Sequence, residues 1–487
     1  MIGKKTPIKH KQMLVTKISN MVTVLSVSLL IGLFGFYDSE AQQIEDGLDM
    51  GASNSIVTPR AAGFGISYMG VNDDAAALRM NPAGLGLLPS NELSVGFAFR
   101  NLQNEISYLG NDFNGLTPTN TTYLSHLVYA APVGSNGSKT TMAIGYFNDG
   151  VVDSRTQLNA FNPLQETFIG TRPDLAFDMF AAGDRINPTV TDSLQQNLFS
   201  LKDGSNQRIT AAISFELAEN LLVGLSFSPV WGNTTYDTEL AETDIFNLYD
   251  RNTEDFSNID FNRFERNIFV DRDMFGYTGS VGFQYNLEDF LRIGGSIDLP
   301  TYLSIDELVT EDNRIVFDNG ENSELNFDPT VFEYDVTIPA VFNAGASLNF
   351  LGMTVAAGLS YQDFSQMEFS GLDGLDELNR DIVLQLKGRT TYGVGSEYDI
   401  PVLPLMVRGN YQYWVSPFYE DGPEASGSSF AFGASFMANE QIMIDAVGRY
   451  EQFSTPSLIA TRGDNIPVIQ NIQMPWTFGL GITYRYD

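Results

Sequence analysis

The sequence predicts an all-β fold, a 14-stranded antiparallel transmembrane β-barrel with an N-terminal hatch, or plug, inside its lumen. Three observations support this prediction: large apolar residues alternate with small or polar ones, connections alternate between short and long, and a helical segment precedes the first strand. The 487 residues include 44 Gly, 35 Phe and 21 Tyr, a composition that suits many strands separated by turns.

The alternation is clearest at the C-terminus. Between Pro475 and Asp487, aromatic and aliphatic side chains fall on one face of a strand, and small or polar side chains fall on the other. Residues 93–100, 275–285 and 428–438 repeat this pattern. A soluble sandwich would bury the large face, whereas a membrane barrel turns it toward lipid. Alternation by itself fits both architectures.

Connection lengths favour the barrel. The candidate strands are 91–101, 122–131, 140–149, 207–218, 221–232, 273–286, 290–305, 331–350, 353–367, 381–399, 405–416, 428–438, 440–453 and 475–486. Short turns lie at one end of these strands and long acidic loops at the other, which is typical of an outer-membrane barrel. Because an open sheet edge is costly in lipid, we expect the last strand to pair with the first.

The chain divides into three predicted parts. Residues 1–41 combine a lysine-rich start, an apolar run over 21–36 and small residues at Ser39 and Ala41, which predicts a signal peptide cleaved after Ala41. A retained anchor is the alternative, although the run is short for a spanning helix. We predict a plug over 42–90 and a transmembrane barrel with long acidic extracellular loops over 91–487. The predicted location is the outer membrane of a Gram-negative cell.

The composition also excludes several functions. The chain has no Cys, so it forms neither disulfides nor thiolate metal sites. Its net charge of −33 opposes binding to nucleic acid. We expect no cofactor and no metal site, and no enzyme activity, since a Ser–His–Asp site would depend on His126, a lone strand histidine without a nucleophile motif. The acidic loops fit a solvated surface, cation bridging or a protein partner.

A helix is predicted ahead of the barrel. Asp73 or Asp74 can cap it, residues 75–80 are helix formers, and Asn81-Pro82 ends it, because a residue before proline avoids the helical region. The stretch 74–85 resembles the hatch motif of the FadL family of outer-membrane channels for long-chain fatty acids and other hydrophobic compounds. Residues 336–345 and 358–365 resemble two further strand segments of that family.

The resemblance implies passive transport of hydrophobic small molecules, such as long-chain fatty acids, through a plugged barrel. It implies that Asn81, Pro82 and Ala83 form the gating part of the plug, and that the plug moves to open a lateral exit. It further implies a kink in the third strand, for which Gly145 is the candidate. We expect a monomer that contacts outer-membrane lipid. The alternative function is a barrel partner or scaffold in a protein secretion or surface assembly system.

Inward positions of the predicted strands supply candidate ligand contacts. An apolar and basic lumen suits a greasy ligand with a carboxylate head. The alternative is packing against the plug and pairing with lumen acids. The candidates are Arg100, Phe147, Arg389, Arg408, Trp414 and Arg449.

Overall fold

The computed structural model describes residues 44–51, 54–108, 111–113, 118–133, 140–162, 194–246, 261–287, 290–419, 421, 425–458 and 468–487. The predicted signal peptide therefore lies outside the described residues. Within these ranges no helix is both long and apolar enough to cross a membrane.

The strands among the described residues form one antiparallel sheet. Its strands are β1 Asn91–Tyr108, β2 Asn111–Phe113, β3 Thr119–Pro132, β4 Thr140–Val151, β5 Ser154–Asn162, β6 Leu194–Ala218, β7 Leu221–Thr243, β8 Phe261–Leu287, β9 Leu291–Asp298, β10 Thr301–Phe317, β11 Asn322–Asn326, β12 Thr330–Ile338, β13 Val341–Phe350, β14 Met353–Asp363, β15 Glu368–Ser370, β16 Gly388–Asp399, β17 Leu405–Trp414, β18 Gly427–Met437, β19 Ile442–Leu458 and β20 Val468–Tyr486. The last strand pairs with the first from Asn91↔Tyr486 to Ser107↔Gln470. The predicted closure is confirmed.

The wall of the barrel contains fourteen strands. β9 and β10 are two parts of one wall strand, since both pair with β8, and β12 and β13 together form the next. Prolines divide them: Pro300 separates β9 from β10, and Pro339 separates β12 from β13. The short strands β2, β5, β11 and β15 extend the sheet beyond the wall. The predicted 14-stranded architecture is confirmed.

The large side chains point outward, as a membrane wall requires. Phe97 is 58% exposed, Phe432 72% and Leu480 65%, while the adjacent residues Ala98, Ala431 and Gly479 are buried. Every backbone N–H and C=O in hydrocarbon needs an internal partner, and sheet closure supplies those partners. The structure is that of an outer-membrane β-barrel.

Several predicted boundaries change. The strand predicted over 381–399 begins only at Gly388, because residues Leu375–Gln385 form helix α4, which buries Leu375 and Ile382 against the long-loop end of the barrel. The predicted loops 150–206 and 233–272 are partly strand, since β5 to β8 continue well past the apolar belt. These extensions carry many polar side chains, so the alternation of large apolar and small residues did not predict them as strands.

The plug lies within the barrel. It consists of α1 Ile44–Met50, α2 Pro59–Phe64, a 3-10 helix Gly65–Gly70, α3 Ala77–Met80 and a 3-10 helix Pro82–Leu87. The N-cap of α3 is Ala76, without a side-chain cap; Asp74 forms the turn before the helix, its carbonyl accepting from Ala77 N and its carboxylate from Ala76 N, and Asn81 ends the helix in an extended conformation. The predicted short helix is present.

Candidate functional site

The Asn81-Pro82-Ala83 segment is bonded to the inner wall. The Asn81 side chain accepts from Ala83 N at 3.2 Å and donates to the carbonyl of Phe283 on β8 at 3.0 Å. The carbonyl of Ala83 accepts from Ser214 Oγ on β6 at 2.8 Å. Two wall strands therefore hold this turn of the plug in one position.

Inward-facing glycines form the seat for the plug. A Cβ on Gly282 would overlap the Asn81 side chain, and a Cβ on Gly224 would overlap the Pro82 backbone. Further along the same part of the wall, on β13 and β14, Gly345 and Gly358 approach the Gly65–Gly70 helix in the same way. Glycine lets two backbones approach where any side chain would separate them.

A buried ion network fixes the middle of the plug. Arg60 pairs with Asp73 at 2.5 Å, with Asp74 at 2.9 Å and with Glu397 of β16 at 2.9 Å. Asp73 also pairs with Arg292 of β9 at 2.8 Å. Burial alone would raise the pKa of Asp73, but the two guanidinium groups outweigh it and lower that pKa to about 2.

The wall is incomplete between β3 and β4. Their pairing ends at His126↔Phe147, and residues 119–125 of β3 are paired only with β1. From Phe147 to Asp153 the usual alternation stops and every side chain is buried, so this part of the third wall strand bends into the lumen. We call the opening between residues 119–125 and 148–152 the side gap.

The irregularity of the third strand lies beyond Gly145. Gly145 pairs with Val128 on one side and Thr210 on the other, whereas the register with β6 shifts between Asn148 and Gly150. The predicted kink residue is therefore wrong by a few positions. A glycine is required at position 145 for another reason, because a Cβ there would crowd Val128 of β3 and Leu78 of the plug.

Plug residues fill the side gap. Asn54 accepts from Val151 N at 3.0 Å and donates to Val151 O at 2.9 Å. Ser55 N donates to Asp149 O at 3.2 Å, and Ser55 Oγ donates to Asn148 Oδ1 at 2.7 Å. These bonds satisfy backbone groups of the bent strand that have lost their partners in β3. In this arrangement the plug closes the gap.

Four charges, one of them buried and three half-buried, join the plug to the bent strand. Arg79 of α3 pairs with Asp149 at 3.0 Å and with Asp298 of β9 at 3.7 Å. Asp149 also pairs with Arg208 of β6. Each charge therefore retains an opposite charge if the Arg79–Asp149 contact is broken, which lowers the cost of moving the plug.

A cavity of about 770 Å³ lies in the lumen between the plug and the long-loop end. Its lining combines charged groups with aliphatic and aromatic side chains. The apolar members include Leu198, Val230, Leu240, Ile268, Val270, Phe364, Trp414, Phe418 and Phe453. This mixture, and a volume within the range of small-molecule pockets, suits a hydrophobic ligand that carries a polar group.

Four of the six predicted lumen contacts line this cavity: Arg100, Arg389, Trp414 and Arg449. The guanidinium of Arg389 lies 5.5 Å from the Trp414 ring centroid. No ion-pair partner within 4.0 Å is found for Arg389 among the described residues. Arg100 and Arg449, in contrast, are paired with Asp153 and Glu451.

The other two candidates do not line the cavity and fit the alternative of pairing with lumen acids and packing against the plug. Arg408 is buried against Gly63 of plug helix α2, where it pairs with Glu397 at 2.9 Å and Asp445 at 3.2 Å. Phe147 is buried among Leu78, Leu85 and Val128, between plug and wall. Both point inward as predicted, but at the depth of the plug and not of the cavity. Alternation along a strand indicates that a side chain points into the lumen, but it does not indicate at what height in the lumen that side chain lies.

Sequence reasoning did not single out Arg79, Asp149 or the seat glycines. The seat glycines share one feature in the sequence: all of them fall on the inward face of predicted strands. That common position could have identified them as the residues that face the plug, namely Gly224, Gly282, Gly345 and Gly358. The Arg79–Asp149 pair joins residues 70 positions apart, for which one sequence offers no signal.

The rival enzyme site is not supported by the geometry around His126. Its ring contacts Ser94 Oγ and Ser125 Oγ, each at 3.0 Å, and all three side chains are buried inside the wall. A substrate has no access to a serine in that position. Among the described residues, no group of three or more His, Asp or Glu side chains could hold a metal ion.

These features define the class: a transmembrane β-barrel closed by an internal plug, with a gap in its side wall. No protein-family model and no curated protein matches the sequence. Solved structures do match. A FadL homologue of Pseudomonas aeruginosa has a TM-score of 0.54 at 11% identity, covering 85% of this chain and 95% of its own.

Two further channels share the architecture. The toluene transporter TodX of P. putida has a TM-score of 0.51 at 14% identity, covering 85% of this chain and 94% of its own. The monoaromatic hydrocarbon channel CymD has a TM-score of 0.50 at 15% identity, covering 87% and 98%. At these identities the likeness shows a common fold, namely that of the FadL-type outer-membrane channels.

Proposed function

We propose that this protein carries hydrophobic small molecules passively across the outer membrane, through the plugged barrel and out sideways into the lipid. The observation that carries the proposal is the side gap. A wall that leaves residues 119–125 of β3 without a strand partner on the β4 side, and fills the space with plug residues Asn54 and Ser55, supports a route that opens when the plug moves.

The route begins in the lumen cavity. A hydrophobic ligand replaces water against the apolar lining, which favours its transfer from the aqueous phase. The cavity leads down to Arg79, which contacts the bent strand, and to Asp149 and Val151, which belong to that strand. Movement of the plug away from Asp149 would place the side gap directly in the ligand's path.

Arg389 and Trp414 are the proposed ligand contacts in the cavity. Trp414 offers an aromatic face, and Arg389 offers a cation that can meet a carboxylate or another polar head. We propose that the protein works as a monomer, which is supported by a barrel that closes within a single chain. Long-chain carboxylates and neutral hydrocarbons are the substrates to compare.

Vesicles containing the purified protein test this function. We expect dodecanoate or toluene to equilibrate faster than in protein-free vesicles, while sugars, followed by vesicle swelling, pass slowly. Fast passage of sugars would instead mean a general water-filled pore. Arg389→Gln should lower the affinity for dodecanoate about tenfold, whereas Arg408→Gln should affect barrel stability, since Arg408 does not reach the cavity. Equal loss of dodecanoate affinity in both variants would contradict the assignment of Arg389.

A further inference from the structure

Four neighbouring turns form a continuous arc at the short-turn end of the barrel. They connect β8 to β9, β13 to β14, β16 to β17 and β18 to β19. Backbone hydrogen bonds of 2.8–2.9 Å join each turn to the next: Asn349 N to Phe290 O, Asp399 N to Gly352 O, and Met437 N to Pro404 O. Short turns face the periplasm in outer-membrane barrels, so we call this surface the periplasmic arc. Its described residues are 286–287, 290–291, 349–353, 398–405 and 437–442.

The tips of the periplasmic arc are apolar and exposed. Val402 is 101% exposed, Leu351 95% and Leu403 58%. Phe290 and Phe350, on the neighbouring turns, are exposed as well. Single apolar side chains are ordinary on a protein surface, whereas a contiguous set of them indicates a surface that another molecule covers.

Two of these residues also hold an unfavourable backbone conformation. Val402 has a φ of 75° in the turn that Leu403 N closes on Ile400 O at 3.2 Å, and Leu351 has a φ of 51°. Glycine or asparagine normally takes such positions, because a branched side chain is strained in the left-handed region. Both side chains face water and not the core, so the folding of the barrel does not explain them.

Lipid does not explain the exposed tips either. Tyr285 and Tyr398 are exposed on the wall just before the turns, in the position of the aromatic girdle that marks the membrane interface. Val402 and Leu351 lie beyond this girdle, at the ends of their hairpins. The apolar surface therefore faces the aqueous periplasm, where a protein can reach it.

The charge of the arc indicates the chemistry of its partner. The turn sequences 286–291, 349–353, 398–405 and 437–442 contain no Lys or Arg, and their acids are Glu288, Asp289, Asp399 and Glu440. The basic residues that adjoin the arc, Arg292, Arg408 and Arg485, are each paired with a carboxylate. An apolar surface bordered by carboxylates fits a partner that presents apolar side chains flanked by Lys or Arg.

We propose that the periplasmic arc is a docking surface for a periplasmic protein. The partner places apolar side chains on Leu351, Val402 and Leu403, and Lys or Arg side chains against Asp399 and Glu440. Asp399 follows Glu397, the wall partner of Arg60, by two residues, so the docked protein lies close to the periplasmic side of the plug. The inference does not depend on the proposed function, because the cavity lies toward the opposite end of the barrel.

Full-length protein in nanodiscs of zwitterionic phospholipid tests the proposal. The probe is a short peptide with a leucine-rich centre and lysines at both ends, and its counterpart carries glutamates in place of the lysines. We expect the lysine peptide to bind the protein at least about tenfold more tightly than it binds empty nanodiscs, and more tightly than the glutamate peptide binds the protein. Equal binding to empty nanodiscs would mean that the peptide binds only lipid and would overturn the proposal.

One double variant removes the apolar tips without straining the turns. Leu351→Asn with Val402→Asn supplies a preferred turn residue at both positions, so the barrel should resist heat at least as well as the wild type. Its affinity for the lysine peptide should fall at least about tenfold. Val331→Ser is the matched control, because Val331 is exposed at the long-loop end, and it should bind the peptide as the wild type does. Undiminished affinity in the double variant, or a loss of its heat resistance, would contradict the role given to these side chains.

Crosslinking in the bacterium that makes the protein tests for the partner itself. A photoreactive amino acid at position 403 should form one discrete protein adduct, and the partner segment in that adduct should combine apolar residues with Lys or Arg. The adduct should disappear when Asp399→Lys and Glu440→Lys reverse the charge of the arc, and it should not form from position 331. Adducts with lipid alone, or a protein adduct that survives the charge reversal, would overturn the proposal.

Discussion

Arg79 of the plug and Asp149 of the bent strand β4 form an ion pair, with 3.0 Å between Arg79 Nε and the Asp149 carboxylate. The contact joins the helix just before Asn81-Pro82 to the strand that borders the side gap. The position of the plug and the state of the gap are therefore linked through two side chains.

Breaking this pair should favour the open state. In Arg79→Gln, Asp149 keeps Arg208 as its partner, so this buried carboxylate is not left alone and we expect the barrel to remain stable. Loss of charged hydrogen bonds worth about 1.5–3 kcal/mol should loosen the plug and raise dodecanoate flux into vesicles severalfold. Arg263→Gln is the control, because Arg263 forms an exposed pair with Glu265 on β8. Flux equal to that of the control would disprove the link.

Filling a seat glycine should displace the plug. Gly282→Val adds bulk where Asn81 lies, and overpacking of this kind costs about 1–3 kcal/mol. We expect the variant barrel to insert normally while ion conductance across a planar bilayer rises, since a displaced plug leaves the lumen open. Gly448→Ala is the matched control, because a Cβ there meets only Phe478 at 3.5 Å. Normal conductance in Gly282→Val would mean that the seat tolerates a side chain.

Acid should release the plug only below about pH 4. The pKa of Asp73 is lowered to about 2 in the folded protein, from an ordinary value of 3.8. A carboxylate with a lowered folded pKa stabilises the folded state fully above its ordinary pKa, and this stabilisation is lost as the pH falls toward the folded pKa. Conductance should therefore be constant from pH 7 to pH 5 and rise between about pH 4 and 2. Asp73→Asn should remove the Asp73 contribution, and a rise already complete at pH 5 would exclude Asp73 as its cause.

The barrel was predictable because its physical requirements repeat along the chain. Each wall strand must turn large side chains such as Phe97 and Leu480 to lipid, so alternation together with connection length predicted the number of strands. The sheet must also close in lipid, and this requirement predicted the pairing of β20 with β1. The plug helix was predictable from local chemistry, since Asp74 forms the turn that leads into it and Asn81, which precedes a proline, ends it.

The site was less predictable because it depends on depth and on long-range contacts. Arg389 and Arg408 both point inward, yet Arg389 lines the cavity whereas Arg408 is buried against plug helix α2. The bend in the third strand was placed at Gly145, the most permissive residue, but the strand bends where Ser55 and Asn54 supply replacement hydrogen bonds. Those partners lie more than 90 positions away in the sequence.

A covalent lock across the side gap tests the central claim most directly. Ser55 and Asn148 are in side-chain contact at 2.7 Å, and the chain contains no cysteine, so Ser55→Cys with Asn148→Cys places a single disulfide between plug and bent strand. Dodecanoate flux into vesicles is measured before and after reduction, with Ser55→Cys alone as control. We expect the oxidised double variant to pass dodecanoate at least about tenfold more slowly than the reduced form, and the control to be unaffected. Equal flux in the oxidised and reduced forms would contradict a route through the side gap.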